Sequence, residues 1–76
     1  MNYHTGELIE LGDSIDLSSD ITGIIVGIIE ESKFSSQFPK EEWGYLDRGL
    51  LVLSDQAGLI HYPDITEDMK LIKKVK

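Results

Sequence analysis

The sequence predicts a mainly β fold: a small, strongly twisted barrel of five or six short antiparallel strands, with one short helical insertion near 39–47. Three observations carry the expectation. The chain has 76 residues and no cysteine, so residues 1–76 make a single domain held by an apolar core rather than by disulfides or thiolate zinc sites. The run ITGIIVGIIEES at 21–32 is rich in β-branched residues and interrupted by Gly23 and Gly27, which suits a long bent strand. Finally, two apolar runs, Leu50–Leu53 and Leu59–Tyr62, flank the turn-forming stretch Ser54-Asp55-Gln56-Ala57-Gly58, which reads as a β-hairpin.

In chain order, GELIEL at 6–11 is a short candidate strand ended by Gly12-Asp13, a strong turn dipeptide. Ser14-Ile15-Asp16-Leu17 alternates polar and apolar residues, as a half-buried edge strand does, and Ser18-Ser19-Asp20 is a second turn. In the long strand, simple alternation puts Ile24, Val26 and Ile28 on one face and Ile25 and Ile29 on the other. A helix is the poorer reading, since each interior glycine would cost about 1 kcal/mol relative to alanine.

Residues 30–38 form a polar loop anchored by Phe34 and Phe38. Pro39 followed by Lys40-Glu41-Glu42 is a helix start, with acids in the first turn to meet the helix dipole. The helix should be short, about two turns, with Gly44 weakening it and Gly49 stopping it. Trp43 and Leu46 are three residues apart and both face the core. Tyr45 lies roughly 200° around the helix from Trp43 and points away. Pro63 ends the hairpin, Asp64-Ile65-Thr66-Glu67 resembles a capping box around one helical turn, and Met69–Val75 is a closing strand. A two-layer α+β sandwich is the alternative arrangement.

Fourteen acidic residues against seven basic ones give a net charge of −7. Direct nucleic-acid binding is disfavoured, because affinity for a phosphate backbone rests on Lys and Arg displacing counterions. The one basic cluster, Lys70, Lys73, Lys74 and Lys76, reads as a solvated, frayed strand end. MNYHTGEL lacks a positive n-region and an apolar h-region, and Ile21–Ile29 falls far short of a membrane span of roughly 20 residues. The expectation is a cytoplasmic chain with no membrane association.

Catalytic sets are wanting. The serines sit in no G-x-S-x-G elbow, and the two histidines are His4, in an N-terminal segment expected to be mobile, and His61. His61 and Asp64 are neighbours, but a metal site needs three or four converging ligands. G-I-I-V-G lacks the lysine and the strand–turn–helix setting of a phosphate loop. The expectation is a protein that is not an enzyme and uses no cofactor or metal. Glu30, Glu31, Glu41, Glu42 and Asp47 are read as a solvated acidic face. Trp43, Tyr45, Arg48, His61 and Tyr62 are the candidate binding residues, with Trp43 core or core cover and Tyr45, Arg48 and Tyr62 an exposed recognition patch.

Gly12-Asp13-Ser14-Ile15-Asp16-Leu17, followed by Thr22-Gly23-Ile24-Ile25-Val26-Gly27-Ile28, resembles the opening of SH3-like and KOW-type barrels, and the hairpin Leu50–Tyr62 is similar to the strand pair that completes them. What the resemblance implies is an SH3-like barrel serving as a small binding module. Such modules attach to RNA, to ribosomal or transcription machinery, or to peptides. The basic residues that KOW-type modules use on RNA are missing here, and the Pro39–Leu46 insertion is extra. The expected function is therefore a non-catalytic, adaptor-like module binding a protein or peptide through loop and helix 33–48 and hairpin 50–62. The alternative is an acidic decoy that occupies a partner's basic nucleic-acid-binding surface. Homo-oligomerisation is a further expectation, with Ile15–Leu17 and Leu50–Leu53 as edge strands that pair between subunits.

Overall fold

The computed structural model describes residues 2–18, 21–65 and 69–75. Six strands are present: β1 (Ser14–Ser18), β2 (Ile21–Ile28), β3 (Lys33–Phe34), β4 (Leu50–Ser54), β5 (Gly58–Tyr62) and β6 (Lys70–Lys73). All pair antiparallel in one sheet of order β5-β4-β2-β1-β6, and the two-residue β3 adds to the end of β2. The fold is mainly β with one short helix, as expected. The path ends on β5 and β6 without joining them, so the sheet is not closed among the described residues.

Strand order corrects the expected edges. β1 lies between β2 and β6, and β4 lies between β2 and β5, so neither offers a free edge for pairing between subunits. Alternating polarity did not mark β1 as an edge, because alternation reports which face is buried and not what lies on either side of the strand. Residues 6–11 are also not a strand: Leu8 makes a single bridge to Asn2, and the segment folds over the sheet to bury Tyr3 and Ile9. The N-terminal segment is thus tied down from residue 2 onward. Thr66 and Glu67 of the expected capping box lie outside the described residues.

The sheet curls so that one face, the concave one, encloses a core of Tyr3, Ile9, Ile15, Leu17, Ile25, Ile28, Leu50, Val52 and Met69. Ile60 and Tyr62 of β5 and Leu71 of β6 pack against the same cluster, which brings both ends of the strand path onto one interior. Gly23 permits the curvature: a Cβ there would sit 2.4 Å from the Val52 Cγ1 and 3.2 Å from the Leu53 carbonyl.

The convex face carries a second, smaller cluster of Val26, Ile29 and Leu51. Here the simple alternation in β2 fails. Ile25 pairs with Val52 and Gly27 with Leu51, so Val26 is the extra residue of a β-bulge. The bulge shifts the phase, placing Ile25 and Ile28 in the concave core and Val26 and Ile29 in the convex cluster, while Ile24 is exposed. The expected face assignment is corrected accordingly.

Candidate functional site

The insertion expected at 39–47 covers the convex cluster. It starts from a 3-10 turn, Ile29–Glu31, and from β3, and continues as α1 (Lys40–Trp43) and a second 3-10 turn, Gly44–Leu46. Pro39 sits one position earlier than expected, as the N-cap, where its carbonyl accepts from the Glu42 and Trp43 N–H groups. Phe34, Phe38, Trp43 and Leu46 pack on Val26, Ile29 and Leu51, with Phe38 and Trp43 edge to face at a centroid distance of 6.2 Å. Trp43 is therefore a half-buried cover residue. Its Nε1 and the Ser35 Oγ are the buried side-chain polar atoms without a partner among the described residues.

The insertion returns to the sheet through Asp47, Arg48 and Gly49. Gly49 has a φ of +99°, and a Cβ there would lie 2.1 Å from the Tyr62 carbonyl oxygen, so the approach to β5 demands glycine. The Gly49 N–H donates to Glu30 Oε1 at 3.3 Å, and its carbonyl accepts from Ile29 N–H at 2.9 Å. These bonds fasten the exit of the insertion to its entrance.

On this frame the structure brings Arg48 and His61 together. The His61 Nε2 lies 2.9 Å from the Arg48 carbonyl, and the Arg48 guanidinium reaches Asp64 at 3.4 Å, an exposed ion pair of little energetic weight. Tyr45 is 71% exposed on the 3-10 turn preceding them. Tyr62 stands apart: it follows His61 on β5, points the other way, and packs partly against the concave core. Of the acidic residues, Glu30, Glu41, Glu42 and Asp47 are exposed on the insertion and its entrance, while the half-buried Glu31 pairs with Lys33 at 3.2 Å.

A second polar constellation was not foreseen. Asp13 is fully buried at the end of the turn before β1, and its carboxylate accepts four hydrogen bonds. The donors are the Tyr3 hydroxyl at 2.6 Å, the Glu10 N–H at 3.0 Å, the Lys74 ammonium at 2.9 Å and the Val75 N–H at 3.1 Å. Lys74 also reaches Glu10 at 2.9 Å and the Leu8 carbonyl at 2.6 Å. Lys74 is therefore not part of a frayed, solvated strand end: it fastens the stretch after β6 to Leu8, Glu10 and Asp13.

Burial pushes the Asp13 pKa up, but the hydrogen bonds from Tyr3, Lys74, Glu10 and Val75 outweigh it and hold the group below the usual carboxylate range. Tyr3 is raised far above the ordinary phenol value, by burial first and then by its bond to the Asp13 carboxylate. Desolvation lowers the Lys74 pKa, yet its hydrogen bonds to Glu10 and Asp13 and their charges raise it overall. These bonds make Asp13 a fastening between the segment before β1 and the stretch after β6.

The convex face beyond the insertion is open. Ser14 pairs with Ile24, Ile24 with Leu53, and Leu53 with Leu59, making a row across four strands that Ile72 of β6 extends. Ser14, Thr22, Gly23, Ile24, Leu53, Asp55 and Ile72 line a shallow depression of about 180 Å³.

Among the described residues, no group of three or more His, Asp or Glu could hold a metal ion, and no helix is long and apolar enough to cross a membrane. Comparison with known protein families, curated proteins and solved structures finds no match.

Proposed function

We propose that this chain is a non-catalytic, adaptor-like interaction module with an SH3-like barrel architecture, acting in the cytoplasm on a protein or peptide partner. The contact surface is the insertion at 33–48 together with the hairpin at 50–62. The observation that carries this reading is Tyr45. An aromatic side chain with most of its surface in water sits on an insertion whose underside is packed on Val26, Ile29 and Leu51, three residues before the exposed Arg48. Tyrosine and arginine on a supported surface are the residue types that dominate interface energetics.

The test is capture of partners from native extract by the tagged protein and by its Tyr45→Ala and Arg48→Ala variants. Tyr62→Phe is used at the third position, because alanine there would also disturb the concave core. Loss of the captured protein with Tyr45→Ala or Arg48→Ala, at unchanged circular dichroism, supports the reading. Partners retained in full by every variant overturn it.

The exposure of Glu30, Glu41, Glu42 and Asp47 on and beside the same insertion favours a second reading, an acidic decoy for a basic nucleic-acid-binding surface. The two readings separate on salt. A decoy releases its partner as ionic strength rises, whereas a contact centred on Tyr45 persists.

A further inference from the structure

The convex face carries an apolar row, Ile24, Leu53 and Leu59 with Ile72 beside it, and the insertion covers only part of that row. Leu53 and Leu59 pack against the covered cluster, whereas in the same row Ile24 is 40% and Ile72 57% exposed. Exposed isoleucine on two neighbouring parts of a sheet face, in a chain of net charge −7, is not explained by solubility. We infer that the depression bounded by Ile24, Leu53, Ile72 and Asp55 is an anchor site for a short peptide segment of a partner protein, taking one large aliphatic side chain with a basic residue beside it. The inference rests on the interaction-module reading above and assigns it a second contact point, at the β4–β5 turn end of the hairpin.

Size selects the occupant. At about 180 Å³ the depression falls below the roughly 300–1,000 Å³ of pockets that enclose small-molecule ligands, so a metabolite would remain largely in water. A stable symmetric dimer needs about 800 Å² from each copy. Against a total surface of 4668 Å², that is far more than one row of partly exposed side chains supplies. A single anchoring side chain fits both limits.

Charge selects the flanking residue. The exposed Asp55 lines the depression at the β4–β5 turn, and Lys70 and Lys73 stand exposed on β6 at the other side of the sheet. A basic residue next to the anchor therefore meets favourable charge at the Asp55 end and repulsion at the β6 end, which fixes the direction of the bound segment. The long-range field of the chain works in the same sense for a basic segment.

The experiment is a titration of methyl-labelled protein with two N-acetylated, C-amidated tripeptides, Arg-Leu-Ser and Glu-Leu-Ser, followed by NMR. A single anchor predicts dissociation constants on the order of 1 mM. The Ile24, Leu53 and Ile72 methyl signals shift, and the arginine peptide binds about two- to fivefold tighter, the increment of one exposed ion pair. Asp55→Lys reverses that order. No shift of these methyls up to about 10 mM peptide, equal response to both peptides, or shifts produced by protein concentration alone would each overturn the inference. In the last case a second copy of the chain fills the depression. Failure here with loss of partner in Tyr45→Ala or Arg48→Ala removes the anchor site and leaves the proposed function standing; full retention of partner by every variant of that surface removes that reading whatever the peptides do.

Discussion

The two faces of the sheet are built to different standards. On the concave side, nine buried residues from both halves of the chain form one cluster, and the buried Asp13 beside them receives four hydrogen bonds. On the convex side, three buried residues lie beneath half-buried aromatics, and Ser35 Oγ and Trp43 Nε1 have no partner among the described residues. Each such buried polar atom costs about 1–3 kcal/mol. The concave face fixes the fold, and the convex face is where the chain has stability to spare for a surface. The proposed interaction module would draw on that division, since a contact surface separate from the core can change without unfolding the domain.

The comparison can be broken by mutation. The largest effect is expected from Ile28→Ala, which empties part of the concave core and should lower stability by about 4 kcal/mol, against about 1 kcal/mol for Leu46→Ala in the half-buried cover. Denaturant unfolding checks the pair, and equal losses would remove the distinction between the faces. Asp13→Asn comes next, at about 3 kcal/mol, because it removes the charge that Lys74 meets and sets an amide donor against Tyr3, Lys74 and Val75.

The same network sets the pH limits. With a pKa depressed in the folded state, Asp13 contributes stability present above the unfolded value of about 3.9 and lost as pH falls through the folded one. Tyr3 and Lys74 have raised values, so their contributions are complete below about 10 and are lost as pH rises above it. Unfolding midpoints against pH should therefore fall at both extremes, and Asp13→Asn should flatten the acid limb.

Gly23→Ala should cost about 2 kcal/mol through overpacking on Val52, read as a lowered thermal midpoint. Tyr45→Ala is expected to change stability by no more than about 0.5 kcal/mol, since its side chain is mostly in water.

These differences also explain what could be read from the sequence. The hairpin was legible because its signal is local: Ser54 and Gly58 close the turn as a strand pair, and the Ser54 hydroxyl accepts from the Gln56 and Ala57 N–H groups. A helix start within one residue of Pro39 and the inward Trp43 and outward Tyr45 were legible for the same reason, although the expected two turns are one α turn, Lys40–Trp43, followed by a 3-10 turn. The bulge at Val26 was not, because a bulge is a mismatch with a partner strand, and β4 lies more than twenty residues further on. Asp13 was visible only as a turn residue. Its role depends on Tyr3, ten residues before it, and on Lys74, 61 residues after it. The convex depression is likewise assembled from β1, β2, β4 and β6, and no single stretch of sequence announces it.

Native-state hydrogen exchange tests the division between the faces most directly. The amides of Gly12 and Ile25, bonded across the concave turn to the Ile25 and Asp13 carbonyls, should exchange only through global unfolding. Those of Phe38, Glu42 and Trp43, bonded within the insertion, should exchange through a local opening at least about 2 kcal/mol easier. Exchange of both sets at one common free energy would show a single cooperative unit and contradict the account.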